Sequence, residues 1–337
     1  MLNFDEARFI RIQSGALALA GSLDSLIGDL LDGGAKNIFF LGAGGAGVLM
    51  QPAAQLINRN ADFPAYLENA AEMMAVGSSN LGAGSIVVVP SLSGTTKEAV
   101  EVVEFAKTRG AVTIALVGHD DTPVARAADH TFVNFAADDT SSESFYLQSL
   151  VLALSILRRR GEFAEYDETL AELDLLPALL VEAKRSFEDR AAALAESTKE
   201  VGYHIFTGAG EAWTEAWYFA TCILEEMQWV RTRPVHASDF FHGTLELVEK
   251  GVSVFLLKGE DASRPLADRV ESFAPTVTDS LTVIDSAEFE LPGVSDRVRG
   301  LISHIVLATV LERYSAHLEI ARDHPLTTRR YYRRLDY

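Results

Sequence analysis

The sequence predicts an α/β protein built from two similar halves, each a parallel sheet with helices on both faces. Its 337 residues are too many for one ordinary core and suit two domains of about 150 residues each. Short β-branched runs alternate with helical patterns, which is typical of a parallel sheet. Three segments of the first half also recur, in the same order, in the second half.

The first half alternates strands with helices after one N-terminal helix of roughly 20 residues. The predicted strands are apolar runs bounded by Gly, Pro or Asp, and they lie at 37–41, 85–90, 112–117 and 131–135. Helical patterns separate them at 46–59, 96–109 and 144–159. We therefore place the first domain at residues 1–165.

The second half repeats this alternation after a segment that is rich in Ala, Leu and Glu. That segment, 166–200, predicts helices that link the two domains. Strands are predicted at 203–207, 252–257 and 281–285, with helices at 212–230, 239–249, 261–273 and 295–321. The second domain is expected to span residues 201–337.

The recurrence of sequence segments supports two copies of one fold. The matched pairs are Phe40–Gly44 with Phe206–Gly210, Val87–Pro90 with Val254–Leu257, and Thr113–Val117 with Leu281–Asp285. The offset between partners changes by only a single position from one pair to the next. One matched apolar run would mean little, but three in order, at a nearly constant offset, favour an internal repeat.

The composition excludes several classes of function. A formal net charge of −19 argues against nucleic-acid binding, which needs a basic surface to meet phosphates. A small anionic substrate is still compatible with this charge, because local backbone N–H groups can bind it. The acidic start Met1–Glu6 does not resemble a signal peptide, and no apolar run approaches the ~20 residues of a membrane helix.

The single cysteine, Cys222, excludes an internal disulfide and fits a reducing compartment. It stands in an apolar stretch, Phe219–Leu224, which predicts a buried filler rather than a nucleophile. These observations predict a cytoplasmic protein without a membrane span. No cluster of side chains has metal-ligand spacing, and no cofactor is expected.

A glycine-rich turn follows the first predicted strand. Gly42, Gly44 and Gly47 match the pattern G-x-G-x-x-G of dinucleotide-binding turns. The match alone is weak, since the residues after the next strand, Ala65–Glu68, offer only Glu68 as a ribose-binding acid. A tight strand-to-helix turn without a ligand remains an alternative.

A second loop carries a stronger signal. Ser91, Ser93, Gly94, Thr95 and Thr96 follow a strand and open a helix. Unpaired N–H groups and the helix dipole favour an anion there, and hydroxyls add hydrogen bonds to phosphate oxygens. Capping of the helix by Ser93 or Thr95 is the alternative, but one cap needs one hydroxyl. The loop therefore predicts a phosphate site.

This loop resembles the phosphosugar-binding motif S-x-S-G-x-T of sugar isomerase (SIS) domains. Two such domains in tandem resemble the isomerase half of glucosamine-6-phosphate synthase. They also resemble the fructosamine-6-phosphate deglycases of the fructoselysine-6-phosphate and fructose-asparagine type. The resemblance covers nearly the whole chain. It implies two tandem SIS domains, each with a parallel five-stranded sheet in a three-layer α/β/α arrangement.

Two further segments favour the deglycases. Ser238–Glu246 is similar to their S-G-E-F-x-H-G-P-x-E segment, and the tail from Asp323 to Tyr337 resembles their D-H-N-P…R-R-Y-Y ending. The family's proline is Thr244 here, and the serine that often follows the first glycines is replaced near Gly44. The glutamine-hydrolysing domain of the synthase is not expected in this sequence. The tail lacks the synthase's catalytic lysine, and this argues against the synthase reaction.

The resemblance implies two catalytic residues, Glu226 as the base and His242 for opening the sugar ring. Their separation along the chain is similar to that of the family's Glu and His. Apolar neighbours in sequence are expected to raise the pKa of the Glu226 carboxyl towards a useful value. A position on a solvated helix face is the alternative for Glu226, and the adjacent Glu225 is the competing candidate for the base. A hydrogen-bonded core histidine is the alternative for His242.

The resemblance implies further substrate contacts. The set comprises Gly44, Gly45, Ser141, Glu143, Arg329 and Arg330. Glu143 could instead be an acid stabilised by the dipole at a helix N-terminus. The two arginines are expected in a tail that folds over the active site, and plain surface charge is the alternative.

The expected function is that of a deglycase acting on a sugar phosphate. A fructosamine 6-phosphate would give glucose 6-phosphate and a free amine or amino acid. The alternatives are an aldose–ketose isomerase of a sugar or amino-sugar phosphate and a non-catalytic sensor of sugar phosphates. The resemblance also implies a homodimer. The sequence does not identify the amine that leaves.

Overall fold

The computed structural model describes residues 1–137, 139–332 and 334–335, and the end of the tail motif lies outside these ranges. The chain divides into two compact units, which we describe separately. The first unit comprises Ala7–Pro177, and the second comprises Met1–Glu6 with the residues from Ala178 onwards. The division falls within the helical segment that follows the first sheet.

The first unit contains a five-stranded parallel sheet in the order β2-β1-β3-β4-β5. Its strands are β1 (Asn37–Gly42), β2 (Ala65–Asn69), β3 (Ser85–Ser91), β4 (Val112–Val117) and β5 (His130–Val133). The helices of this part of the chain are α1 (Glu6–Leu17), α2 (Ala20–Asp32), α3 (Gly44–Val48), α4 (Gln51–Asn60), α5 (Ala70–Val76), α6 (Lys97–Thr108), α7 (Pro123–Ala127), α8 (Ser141–Arg159) and α9 (Tyr166–Leu173).

The central strand β3 is buried along its whole length. It reads as a continuous apolar run because helices cover both faces of a parallel sheet. The chain moves from β1 to β2 on one side and returns to β3 on the other. The loops after β1 and β3 therefore leave the sheet at the same carboxyl edge, where ligands bind in open α/β sheets.

Four strands of this sheet lie where the sequence predicts them, and β2 does not. Ala65–Asn69 is a short edge strand, buried only at its first residue. Its sequence lacks a β-branched run, so the alternation signal is weak there. The N-terminal segment forms two helices, α1 and α2, instead of the single predicted helix.

One helical stretch in the part of the chain that the structure describes, Glu6–Asp32, is long and apolar enough to cross a membrane. This corrects the expectation that no apolar run approaches that length. The support for a span is weak, because core helices of soluble proteins have the same length and composition. The stretch divides into α1 and α2, and α2 packs against α8.

The second unit contains a parallel sheet in the order β7-β6-β8-β9. Its strands are β6 (Tyr203–Gly208), β7 (Arg231–His236), β8 (Ser253–Lys258) and β9 (Leu281–Asp285), and its helices are α10 (Leu176–Thr198), α11 (Glu211–Tyr218), α12 (Arg264–Phe273) and α13 (Asp296–Ala321). The prediction of five strands is wrong for this sheet, which has four among the described residues. After β9, a 3-10 turn at Ser286–Glu288 and a proline–glycine turn lead directly into α13.

The edge strand β7 was not predicted, since Arg231, Arg233 and Pro234 break the apolar pattern. Proline is tolerated on an edge strand, where its missing N–H removes no ladder bond. The strand pairs with β6 in parallel. It connects the segment that carries Glu226 to the segment that carries His242.

Two of the predicted helices have different structures. The segment 212–230 forms α11 and then a π-helix at Phe219–Glu225, after which the chain turns at Trp229 with φ +56°. The prediction of a helix at 239–249 is wrong. Two 3-10 turns, Asp239–Phe241 and Thr244–Leu247, replace it. Gly243 separates them with φ +128°, a conformation that a continuing helix does not allow.

Candidate active site

The predicted phosphate loop begins at the last residue of β3. Ser91 is buried, and its Oγ has no hydrogen-bond partner among the described residues. Gly94 has φ +61°, and a Cβ at this position would lie 2.1 Å from Thr122 Oγ1. Only glycine fits there, because any side chain would clash with Thr122 and the positive φ favours glycine.

Backbone hydrogen bonds hold the loop in place. The Gly94 N–H donates to the Ser91 carbonyl at 3.1 Å, and the Gly94 carbonyl accepts from the Val124 N–H at 3.1 Å. The Gly118 N–H donates to the Leu92 carbonyl at 3.1 Å. These bonds tie the loop to the segment after β4, so its backbone is organised before any ligand binds.

The hydroxyls of the loop do not cap helix α6. Its N-cap residue, Thr96, makes no side-chain capping bond. The Thr95 Oγ1 donates to Ser93 Oγ at 3.0 Å, and the Thr95 N–H lies 3.4 Å from the same oxygen. The capping alternative therefore does not account for these hydroxyls. They stand at a helix N-terminus, where an anion is stabilised.

The glycine turn after β1 has a packing explanation for two of its three motif glycines. A Cβ on Gly42 would lie 2.3 Å from Gly47 Cα, so these residues permit the close contact between strand and helix. Gly44 differs, because φ is +56° and a Cβ there would meet open space. Gly44 and the adjacent Gly45 thus remain the candidates for a ligand at this turn.

The corresponding loop of the second unit carries its own anion. The separation along the chain between Gly94 and Asp261 equals the separation between the first residues of α6 and α12, and it matches the offset of the internal repeat. Asp261 therefore occupies in the second unit the position that Gly94 occupies in the first. The Asp261 carboxylate accepts the Glu211 N–H at 3.2 Å and the Ser263 N–H at 2.6 Å. Because a side-chain carboxylate already binds these N–H groups, the second loop is not expected to bind phosphate.

The two adjacent glutamates at the end of the π-helix have different partners. Glu225 Oε1 accepts the Thr232 N–H at 3.1 Å and the Thr232 hydroxyl at 2.6 Å, which ties the π-helix to β7. Glu226 Oε1 instead accepts from Arg329 Nε at 3.0 Å. Glu225 therefore has a structural role. Glu226 meets a guanidinium in the tail, in place of the apolar surroundings expected from its sequence neighbours.

The thiol of Cys222 lies buried within the same π-helix. Burial raises its pKa to about 12, and the neighbouring carboxylates Glu226, Glu215 and Glu225 act in the same direction. A thiol with this pKa stays protonated near neutral pH and is a poor nucleophile. The expectation of a buried filler is confirmed.

His242 lies between the two 3-10 turns with its side chain exposed. Its backbone N–H donates to the Asp239 carbonyl at 2.9 Å, and its ring makes no hydrogen bond to the described residues, Glu226 included. His242 is thus not the hydrogen-bonded core histidine that was the alternative, and its ring is accessible to a ligand.

Thr244, which replaces the family's proline, has a defined partner. Its side chain is buried, and its Oγ1 accepts from Arg233 Nε at 3.0 Å. This bond ties the loop that carries His242 to β7.

The tail folds onto the turn that follows the π-helix. The guanidinium carbon of Arg330 lies 3.9 Å from the ring centroid of Trp229, and the His324 ring meets the same indole at 4.4 Å with its edge. Gln228 Nε2 donates to the His324 carbonyl at 2.7 Å. Arg329, whose side chain is 14% exposed, is therefore not plain surface charge.

A comparison with protein families identifies the first unit. Residues 34–158 match the family model of the SIS domain. This segment is a SIS domain. Its match covers the whole five-stranded sheet and the loop from Ser91 to Thr96.

Relatives and solved structures extend the likeness to nearly the whole chain. Fructosamine deglycase FrlB of Bacillus subtilis (strain 168) is 29% identical over 94% of this chain and 95% of its own length. Fructoselysine 6-phosphate deglycase of Escherichia coli (strain K12) is 27% identical over 88% of this chain and 85% of its own length. A Bacillus subtilis protein described as a candidate phosphosugar isomerase has a crystal structure with a TM-score of 0.88 and 28% identity, covering 96% of this chain and 100% of that one.

Glu143 and Ser141 lie in the first turn of α8 within the SIS domain, and both side chains are buried. The Ser142 hydroxyl donates to Glu143 Oε2 at 3.0 Å. This position agrees with the alternative of an acid near a helix N-terminus. Contact of these residues with a sugar remains a prediction.

Sequence reasoning missed Trp229, which organises the tail around the candidate base. A bulky side chain with φ +56° is rare, and the neighbouring contacts must hold it in that conformation. No sequence pattern predicts a positive φ at a tryptophan. The described residues contain no group of three His, Cys, Asp or Glu side chains that could hold a metal ion.

Proposed function

We propose that the protein is a deglycase that converts a fructosamine 6-phosphate to glucose 6-phosphate and a free amine. The observation that carries this proposal is the likeness to two deglycases over at least 85% of their own lengths. A SIS domain with an organised hydroxyl loop supports a phosphosugar substrate. The chain is accordingly proposed to be an enzyme with a hydrolase reaction.

The substrate phosphate is proposed to bind the loop of the SIS domain. Ser93 and Thr96 would donate from their hydroxyls, and the Thr95 hydroxyl would exchange its bond to Ser93 for one to the phosphate. Ser91 and Gly94 complete the loop. The support is a helix N-terminus without a side-chain cap and a buried Ser91 hydroxyl without a partner among the described residues. Fixing the phosphate would hold the far end of the sugar during the reaction.

The proposed chemistry begins with ring opening, which exposes a C2 carbonyl. His242 assists this step by transferring a proton, since its imidazole ring is exposed and an imidazole can both donate and accept a proton. The Glu226 carboxylate then takes a proton from C1. The electrons of that C–H bond form a C1–C2 double bond, and an enaminol results.

Reprotonation at C2 converts the enaminol to a C1 imine. Water adds to that imine, and the bond between C1 and nitrogen breaks, which releases the amine and leaves the C1 aldehyde of glucose 6-phosphate. Gly44, Gly45, Ser141, Glu143 and Arg330 are proposed as further contacts to the substrate. None of these steps requires a cofactor.

We further propose that the protein is cytoplasmic and acts as a homodimer. One cysteine, which forms no internal disulfide, supports a reducing compartment. The double-SIS resemblance supports the dimer. Light scattering coupled to gel filtration checks this, and a mass near 36.7 kDa would contradict it.

The function is tested with a panel of fructosamine 6-phosphates that carry different amino acids. The proposal expects equal molar release of glucose 6-phosphate, measured with a coupled dehydrogenase, and of amine, measured by derivatisation. Interconversion of hexose phosphates without amine release would indicate the isomerase alternative. Saturable binding without any product would indicate a sensor.

A further inference from the structure

The carboxylate that we propose as the base has a guanidinium beside it. Arg329 Nε lies 3.0 Å from Glu226 Oε1, and both residues belong to the second unit. The Arg329 side chain is 14% exposed and that of Glu226 is 37% exposed. The positive charge is thus more deeply enclosed than the carboxylate that it faces.

The orientation of this guanidinium is fixed by the tail itself. Arg329 Nη1 donates to the Leu326 carbonyl at 2.6 Å and to the Thr328 carbonyl at 3.1 Å. The Leu326 N–H in turn donates to Glu319 Oε1 at 3.0 Å, which anchors the tail to α13. Arg329 therefore faces Glu226 from a defined position.

One nitrogen of Arg329 is available for a ligand. Its Nη2 makes no hydrogen bond to any residue in the described ranges. Nε and Nη2 share one edge of the planar guanidinium, and this edge can donate two parallel bonds. Nε on this edge donates to Glu226, so Nη2 beside it can donate to an atom next to the carboxylate.

We propose that Arg329 is a catalytic residue that stabilises the oxygen on C2 while Glu226 removes the C1 proton. This inference rests on the proposed function. As the proton passes to Glu226, the C–H electron pair forms the C1–C2 double bond, and the C2 carbonyl π pair moves to its oxygen. The negative charge thus leaves the carboxylate and arrives on the C2 oxygen.

The position of Arg329 suits this transfer of charge. C1 and C2 are bonded neighbours, so the C2 oxygen lies close to a carboxylate that reaches the C1 hydrogen. The guanidinium stabilises Glu226 before the step and the C2 oxygen after it, without moving. Donors fixed in advance where charge develops are an effective means of catalysis.

The test compares Arg329→Gln with Arg329→Lys and with Arg334→Gln as the matched control. Arg334 is an exposed arginine of the same tail, so its substitution makes the same change of charge. For Arg329→Gln we expect kcat to fall roughly 10²–10³-fold, with KM within a few fold of wild type. Arg329→Lys should recover part of that loss, and Arg334→Gln should stay near the wild-type kcat.

Two measurements separate this role from a structural one. Thermal unfolding shows whether each variant is folded, and added guanidinium ion at millimolar concentration should restore part of the activity of Arg329→Gly. Wild-type kcat in Arg329→Gln would overturn the proposal. Equal inactivity of the Gln and Lys variants, with lowered unfolding temperatures and no rescue, would also overturn it.

Failure of the deglycase assignment is distinguishable from failure of this inference. If the wild type releases no amine, loss of deuterium from C1 of labelled fructose 6-phosphate still reports removal of the C1 proton. If the wild type exchanges the C1 deuterium and Arg329→Gln does not, the role of Arg329 in removal of the C1 proton is supported. Exchange that is equal in both, or absent from the wild type, would overturn it.

Discussion

The two glutamates at the end of the π-helix allow a sharp comparison at the scale of single residues. Glu226→Gln removes the proposed base and keeps the shape of the side chain. We expect kcat to fall roughly 10²–10⁴-fold, because a positioned base contributes about that much. Substrate binding, measured by calorimetry, should remain largely intact.

Glu225→Gln is the matched control for this prediction. Its carboxylate holds Thr232, so the substitution should lower the unfolding temperature more than the turnover of the folded enzyme. A normal rate in Glu226→Gln would remove Glu226 from the role of base. A large loss of kcat in folded Glu225→Gln alone would transfer that role to its neighbour.

His204 predicts a pH dependence of stability. It is buried on β6, its Nδ1 lies 2.8 Å from Ser253 Oγ, and burial lowers its pKa from 6.5 to about 4. Between these values the unfolded chain binds a proton that the folded protein does not, so stability falls as the pH drops from 6.5 towards 4. The loss at pH 5 should be on the order of 2 kcal/mol.

Urea unfolding of His204→Gln at pH 7.5 and pH 5 measures this contribution. The variant should lose less stability than the wild type between these two values. His119→Gln, at an exposed position, should keep the wild-type dependence on pH. An unchanged pH dependence in His204→Gln would show that another group is responsible.

Single residues also show what the sequence can and cannot reveal. The spacing along the chain and the resemblance pointed to Glu226 and His242, and the structure gives Glu225 a separate structural task. The partner of Glu226 could not be predicted, because Arg329 lies far away along the chain. The apolar neighbours of Glu226 in sequence suggested an apolar environment, because they carry no information about a partner from a distant part of the chain.

The phosphate loop belongs to the scale of elements. Gly94→Ala would place a Cβ against Thr122 at a left-handed φ. We expect a loss of at least about 1–2 kcal/mol from the backbone conformation alone, and weaker binding of hexose phosphate. Thermal unfolding and titration calorimetry measure the two effects.

Gly21→Ala is the control for that substitution. Gly21 lies in α2, and a Cβ there would meet no atom within 4 Å. Alanine in a helix is expected to increase stability by up to about 1 kcal/mol and to leave phosphate affinity unchanged. Equal affinity of Gly94→Ala and the wild type for hexose phosphate would show that this loop does not bind the phosphate group.

The loop between β8 and α12 gives a second prediction at this scale. Asp261→Ala leaves the Glu211 and Ser263 N–H groups without their acceptor, which should lower stability by about 1–3 kcal/mol. Inorganic phosphate should restore part of this loss. Asp279→Ala, which removes an acceptor of the Gly251 N–H elsewhere, should show no such restoration.

Elements with a strong apolar pattern were predictable, and those with weak patterns were not. Strand β3 was predictable because both of its faces are covered, which gives it a continuous apolar sequence. The edge strands β2 and β7 carry polar side chains, arginines and a proline, so their pairing depends on neighbours distant in sequence. The helix expected at 239–249 failed at Gly243, whose positive φ breaks the period.

For the whole molecule, the internal repeat was the most informative observation. Gly44 and Gly210 occupy the same turn of the two units, and both have φ +56°. The repeat did not reveal that the second sheet ends after β9 or that Asp261 replaces Gly94. The matched strands persist while their connections diverge, because the core constrains strands more than loops.

The most direct test of this account is a crystal structure of Glu226→Gln soaked with a fructosamine 6-phosphate. This variant should retain the substrate without turning it over. The account predicts the phosphate group against the hydroxyls and N–H groups of Ser91–Thr96. A phosphate bound elsewhere, with that loop unoccupied by the ligand, would contradict the assignment of substrate and mechanism together.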